Sequence, residues 1–463
     1  MRPRHCRPRG SKKNTELYSE KQGEIQSLIG SLRKARERGD FDLEAWEEAI
    51  LRAAIGYGAN LLAELLSETG CGRPSKPVLD DDDQPMHSIG VRPKTITTLL
   101  GKITFRRSVF RNASGTLTHI PLDQTLGVEG TAFSPGVRRM MARSGSRTSF
   151  TDASEDLCIY ARLDITPKQI QRVSEDVGRA VEDWICKQKP EPQKTGETPA
   201  HSVAAATTAV PKFYVSFDGT GIPVRKSELT ASKGKATDGN AKTREVKLGC
   251  VFTQTRTDEE GRPVRDPDST TYVGAIESST LFGMRIYQEA VRRGCERAKQ
   301  IIVLTDGARY NKTIAATHFP GAIHIIDLYH AREHLAELAK ALGLDEAQQN
   351  DWRGLLDMGR IEDILSKAKA HIESLSASAA ETGELRKKLC YFEQNAELMR
   401  YADFRLAGYF VGSGVVEAGC RTVIGQRLKR SGMFWSVRGA NSIIAVRCCQ
   451  ISGRFEDFWA AAA

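Results

Sequence analysis

Two aspartates and one glutamate stand where the sequence otherwise asks for apolar residues. Asp218 interrupts the run FYVSFDGTGIPV (213–224), and Asp306 ends IIVLTDG (301–307). Burying an ionised carboxylate is costly unless something compensates it, so an acid at such a position needs a reason. Each aspartate precedes a glycine, which lets a ligand approach the backbone closely. Glu417 lies in GSGVVEAGCR (412–421), with Val415, Val416 and Val423 at helical spacing around it. The chain has 58 acids, so three spaced carboxylates carry no weight by number alone. Their placement does. Carboxylates from two adjacent strands and a facing helix can hold two Mg²⁺ (or Mn²⁺) ions. One ion activates the attacking oxygen of a phosphodiester reaction and the other stabilises the leaving oxygen. Plainer roles remain open: Thr-Asp-Gly also makes an ordinary turn, and a first-turn glutamate suits a helix dipole.

Asp327 and His330 form a second constellation in DLYH (327–330), an acid at a strand end and a histidine that can reach the same cleft. Asp327 can equally cap a helix that begins at Leu328. His330 and His334 lack the HExxH arrangement, so no zinc site is expected there. From Ala418 to Phe455 there is no acid, but there are Arg421, Arg427, Lys429, Arg430, Arg438, Arg447 and Arg454. A purely basic stretch directly after Glu417 points to phosphate contact. Beside it, Trp435 suits base stacking or packing, and Phe434 is expected in the core.

The elements that must position these groups follow from periodicity. Residues 213–224, 245–255 and 271–278 read as three successive strands. A helix (281–299), a strand (300–306), a helix (310–318) and a strand (322–327) come next. No proline follows Pro320, and residues 331–410 have helical spacing throughout. The order predicts a ribonuclease-H-like α/β domain: a mixed sheet flanked by helices, with an all-helical insertion before its last helix. In that layout the strands carrying Asp218 and Asp306 are neighbours.

The predicted organisation has six parts. Residues 1–40 form a disordered basic arm. Residues 41–186 form an α+β DNA-binding region, with an amphipathic helix (43–66), a loop containing Asp80, Asp81, Asp82 and Asp83, and a hairpin (94–112). It ends in two helices, 151–159 and 168–184, the second capped by Thr166 with Pro167 in its first turn. Helix, short turn and capped helix have the shape of a helix-turn-helix. Residues 187–212 read as a linker, 213–330 as the first part of the core, 331–410 as the helical insertion, and 411–463 as the last part of the core.

YVSFDGTGIPV, IIVLTDGA, HIIDLYHAREHL and GSGVVEAGCRTVIGQRLKRSGMFWSVRGAN together resemble the motifs of bacterial insertion-sequence transposases of the ISKra type, relatives of the Mutator-like DDE enzymes. The likeness spans roughly residues 90 to 455, and its last motif is the most specific. It implies a catalytic, metal-binding triad of Asp218, Asp306 and Glu417, with Asp327 and His330 as a nearby accessory pair. It also implies metal-dependent DNA cleavage followed by strand transfer, with terminal inverted repeats and target DNA as partners. Two positions depart from the pattern. The expected cysteine pair after the N-terminal hairpin is replaced by FRNASGT (110–116), so no structural metal is expected there. The basic residue often found seven positions after the glutamate is Ile424 here, and Arg421 and Arg427 are candidates for its phosphate contact.

Composition sets the outer bounds. The 463 residues carry a net charge of +9, with 67 basic residues, which tilts the partner towards polyanions. No apolar run is expected to be long enough to cross a membrane, and the basic N-terminus has no apolar segment behind it. The ten cysteines suggest reduced thiols, so a cytoplasmic protein is expected. DNA-bound homo-oligomers are expected from the resemblance. Two further readings stand beside the transposase: a ribonuclease-H-like nuclease without strand transfer, and a transposase-derived DNA-binding protein that has lost catalysis.

Overall fold

The computed structural model describes residues 11–39, 42–188, 210–229, 242–374 and 379–462. Most of the expected linker, 189–209, and the first ten residues of the expected arm lie outside these. The contacts divide the chain into two units, 1–145 with 150–173, and 146–149 with 174–462.

The first unit opens with two helices, α1 (Ser11–Glu37) and α2 (Leu43–Glu68). The helix over residues 11–37 corrects the expected disordered arm. Beyond Ser11, the segment is free of proline and rich in Lys, Glu, Gln and Leu, all good helix formers. α2 corrects a second expectation, because by length and composition it is apolar enough to cross a membrane. Its few charges are spaced widely enough to leave an apolar average. In this fold Ala59, Leu62, Ala63 and Leu66 of α2 instead pack on a cluster formed by Ile96, Ile103, Phe105, Leu122 and Val128.

That cluster rests on the hairpin β1 (His87–Thr98) and β2 (Gly101–Arg111), to which the short β3 (Thr118–His119) is added. The hairpin turns at Leu99–Leu100, with Gly101 at φ 98°. Then follow α3 (Pro121–Thr125), α4 (Pro135–Arg147), α5 (Phe150–Ala161) and α6 (Pro167–Lys187), the end of α4 and the part of α6 from residue 174 being counted with the second unit. Asp123 is buried between Lys94 (2.7 Å) and Arg107 (2.8 Å), so its charge is compensated. Thr166 and Gln169 bond each other at the start of α6, as the expected cap requires.

The second unit is a mixed α/β layer structure. Its strands are β4 (Lys212–Pro223), β5 (Thr243–Gln254), β6 (Arg256–Thr257), β7 (Pro263–Val264), β8 (Thr271–Ala275), β9 (Gln300–Thr305) and β10 (Ile323–Ile326). Five of them form a sheet in the order β10-β9-β4-β5-β8. The half β4-β5-β8 is antiparallel, and β10, β9 and β4 run parallel. The helices are α7 (Ser279–Arg292), α8 (Arg309–His318), α9 (Leu328–Ala341), α10 (Glu346–Asp357), α11 (Ile361–Ser374), α12 (Ala379–Asn395), α13 (Tyr401–Leu406), α14 (Gly414–Gly419), α15 (Gln426–Leu428), α16 (Val437–Ile451) and α17 (Phe455–Ala462). The helix expected over 281–299 stops at Arg292, because Gly294 takes a left-handed φ of 82° that ends it.

Strand alternation assigns each face its cover. Phe213, Val215 and Phe217 of β4 point to one side and meet Phe282 and Ile286 of α7 and Ile314 of α8. Tyr214 points to the other, where Ile302 and Leu304 of β9 meet the block of α9 to α13 and Val416 of α14. Asp218 has the parity of Tyr214, and Asp306 that of Ile302 and Leu304. Both acids therefore belong to the face covered by the helical block and α14. Gly343, Gly359 and Gly408, all at positive φ, end helices inside that block.

Candidate active site

The parallel register places three aspartates in one row. The last paired residues of β4 and β9 are Ser216 and Leu304, and those of β9 and β10 are Thr305 and Ile326. Asp218 and Asp306 each lie two residues beyond the first pair, and Asp306 and Asp327 each one beyond the second. The row thus crosses the carboxyl end of the parallel half of the sheet, where β9 and β10 finish and open α/β sheets bind ligands.

Each member of the row is fixed locally. Asp218 Oδ1 accepts from the Gly219 amide (2.6 Å), and Oδ2 lies 3.7 Å from Cys420 Sγ. The Glu245 carboxylate lies over Gly219, in the space a Cβ there would take. Asp306 Oδ1 accepts from the Ala308 amide (3.0 Å) and from Asn311 Nδ2 (2.5 Å). The turn expected as its plainer role is present, and it also aims the carboxylate. Asp327 caps α9 by accepting from the His330 amide (2.8 Å), and its other oxygen accepts from the Ser413 amide. Gly412 brings that loop alongside, since its Cβ position lies 3.7 Å from Asp327 Oδ2.

Glu417 comes from α14, where Ser413 Oγ donates to its Oε1 (2.6 Å). The ligand atoms of Asp327, His330 and Glu417 all lie within 4.8 Å of one another, a group able to hold a metal ion. Asp218 and Asp306 fall outside that tight group. They are coupled to it through charge, because Asp218 senses both Asp306 and His330. Past Glu417 the helix widens into a π-turn over Cys420–Gly425, a distortion frequent at functional sites.

The electrostatics fit a crowded acidic edge. Burial raises the Asp218 carboxyl above its ordinary value; the Gly219 amide opposes this and the Asp306 charge reinforces it. Burial pushes Asp327 upward too, but hydrogen bonds from His330 and Ser413 outweigh it and hold the group below the carboxylate range. His330 Nδ1 lies 3.4 Å from Asp327 Oδ1. The adjoining Asp327 carboxylate raises the imidazole to about 9 against the opposing effect of burial, with the Asp306 and Glu333 charges adding to the rise.

The expected DNA-contacting residues divide. Arg421, Lys429, Arg430 and Arg438 are exposed, Lys429 bonding Thr220 (2.6 Å) and Arg430 bonding Thr148 (2.8 Å). Arg427 and Trp435 are corrected: both are interior side chains, 0% and 6% exposed. Arg427 lies over the Trp435 ring, 5.0 Å from its centroid, and the indole donates to Leu428 O (3.0 Å). Trp435 pairs its backbone with the end of β4 at Arg225 and Pro223, which carries its ring inward. Phe434, expected in the core, is instead 67% exposed, because the neighbouring tryptophan takes the inward position. Sequence reasoning missed Ser413, Asn311 and Cys420. Only Ser413 left a trace, four residues before Glu417 at helical spacing.

No protein-family model matches the chain. Among curated proteins it is similar to the UPF0236 protein in vanSb 3'region of Streptococcus gallolyticus, 23% identical over 381 residues, 80% of this chain and 75% of that protein. Among solved structures it is similar to a chain of the Drosophila P element transposase strand transfer complex, at 8% identity and a TM-score of 0.22, covering 73% of this chain and 83% of that one. At that score the likeness carries no weight for fold or function.

Proposed function

We propose that this protein is a DDE transposase that cleaves DNA strands and transfers them for the movement of an insertion sequence. The observation that carries the reading is the row of Asp218, Asp306 and Asp327 across the parallel strand ends, with Glu417 entering from α14. The strand order β10-β9-β4-β5-β8, antiparallel in one half and parallel in the other, supports a ribonuclease-H-like reading of the domain. Helices α9 to α13 stand between the second aspartate and the glutamate, as the resemblance to ISKra-type transposases implies.

The donor set fits Mg²⁺ or Mn²⁺. It is made of hard carboxylate oxygens, and a bound cation would relieve the mutual repulsion of Asp218 and Asp306. Asp218, Asp306 and Glu417 would hold two such ions, with Asp327 adjoining. Bound there, the ions supply charge stabilisation and an activated oxygen for phosphodiester chemistry. The rest falls to the chain itself. Asp327 orients His330 and ties the Gly412–Ser413 loop to the strand end. The exposed Arg421, Lys429, Arg430 and Arg438 hold the DNA backbone, and the first unit binds the terminal repeats. Two copies bring the two element ends together in the cytoplasm.

A plasmid excision assay tests the reading. The wild-type protein with Mg²⁺ excises a segment bounded by the inverted repeats that flank its coding sequence and joins it to a target. Asp218→Asn abolishes both products. Equal excision by the two proteins overturns the assignment, and cleavage without joining reduces it to a nuclease.

A further inference from the structure

The helical block does more than cover the sheet. Beside Asp306 a cavity of about 300 Å³ opens between the start of α8 and α12, lined among others by Gly307, Arg309, Lys312, Lys387, Tyr391 and Asn395. That volume lies at the small end of ligand pockets. Asn395 is 3% exposed, and its Nδ2 donates to Tyr391 O (2.6 Å), which settles the amide's orientation. Its Oδ1 is then a buried acceptor with no hydrogen-bond partner. The Tyr391 hydroxyl is also buried without a partner, and it stands 3.0 Å from where a Cβ would sit on Gly307. Two such atoms on residues one helical turn apart on α12 are expensive to leave unpaired and rare without a purpose.

Charge at the rim has the opposite sign to the neighbouring acidic edge. Lys387 reaches only the exposed Glu384, and Lys312 donates to Gln394 O. Arg309 has no ion pair among the described residues. A ligand that fills this cavity therefore carries an anionic group for the rim, a donor for Asn395 Oδ1 and an acceptor for the Tyr391 hydroxyl.

We propose that the cavity seats one unpaired deoxynucleotide of the DNA strand that lies across the acidic edge, its phosphate on Arg309 and Lys387 and its base edge on Asn395 and Tyr391. A base paired in duplex would hide the hydrogen-bonding edge these atoms need, so the occupant is a splayed or single-stranded nucleotide. The inference rests on the reading of the protein as an enzyme acting on DNA, and it gives the helical insertion a role in holding the substrate.

The test is calorimetric titration of the full-length protein with the four deoxynucleoside 5′-monophosphates, deoxyribose 5-phosphate and inorganic phosphate. At least one mononucleotide should bind about tenfold more tightly than deoxyribose 5-phosphate. Arg309→Gln should weaken all the phosphorylated ligands by about tenfold. Tyr391→Phe and Asn395→Leu should shrink the advantage of the mononucleotide and leave phosphate binding alone. Tyr391→Phe removes a single oxygen, so it keeps the experiment readable if Asn395→Leu does not fold. Asp218→Asn should bind mononucleotide as the wild type does while losing excision, so failure of the transposase reading and failure of the pocket are seen separately. Equal binding of mononucleotide and inorganic phosphate, or wild-type affinity in Arg309→Gln, overturns the proposal.

Discussion

Two places in the second unit, one buried and one half-buried, treat charge in opposite ways. Arg447, 5% exposed on α16, is tied to three backbone carbonyls: Nε to Val423, Nη1 to Ser146 (2.7 Å) and Nη2 to Thr422. Each nitrogen has an acceptor fixed by the fold, so the guanidinium acts as a clamp. At the acidic edge, Asp218 and Asp306 face each other's charge, and the donors they use are two nearby backbone amides, the Asn311 side chain and the weak Cys420 thiol. Much of their lone-pair capacity remains for something else. Burial of charge alone therefore does not mark a functional site. Burial with acceptor capacity left over, beside a like charge, does.

The largest expected effect sharpens that contrast. Asp218→Asn, Asp306→Asn and Glu417→Gln should each lower strand cleavage by roughly a thousandfold or more, read by product formation on a labelled substrate. Their unfolding midpoints should stay level or rise, because a repulsion has been removed. Arg447→Met should do the reverse. Urea unfolding should show a loss of about 3 kcal/mol, since three carbonyls lose their donor. A stable Arg447→Met protein, or an unfolded Asp218→Asn protein, would break the distinction. Asp327 stands between the two cases, because it caps α9 and also lies in the acidic row. Asp327→Ala should cost about 2 kcal/mol through the lost cap and the stranded Ser413 amide, measured the same way.

What could be read from the sequence follows the same division. Alternation and apolar runs located β4, β5, β8, β9 and β10 to within a few residues, because each strand is buried on both faces. Asp218, Asp306 and Glu417 stood out as acids against that background. The arginines could not be sorted in this way. Arg421 and Arg427 lie in the same basic run, yet one is exposed and the other fully buried, and only the π-turn and the inward swing of Trp435 decide between them. Nor could sequence show that Glu417 would sit nearest Asp327 and His330, since that depends on the Gly412–Ser413 loop closing on Asp327. The helix over residues 11–37 was hidden by its charge, which suits both a solvated arm and a polar helix.

The smallest expected effect bears on how the acidic edge balances itself. His330 is a cation placed among acids, facing Asp327 directly, with Asp306 and Glu333 adding to its field. Its folded pKa of about 9 is above the ordinary 6.5, so the folded protein holds this proton more tightly than the unfolded chain does. The resulting stabilisation is fully present below pH 6.5 and is lost as the pH rises through about 9. His330 is partly exposed, so solvent screening keeps the effect small. In chelator-treated protein, the melting temperature of the wild type should fall more steeply than that of His330→Gln between these two pH values. Parallel curves would mean that the imidazole is not paired with Asp327 in solution, and the row of aspartates would then have to share its charge without an internal cation.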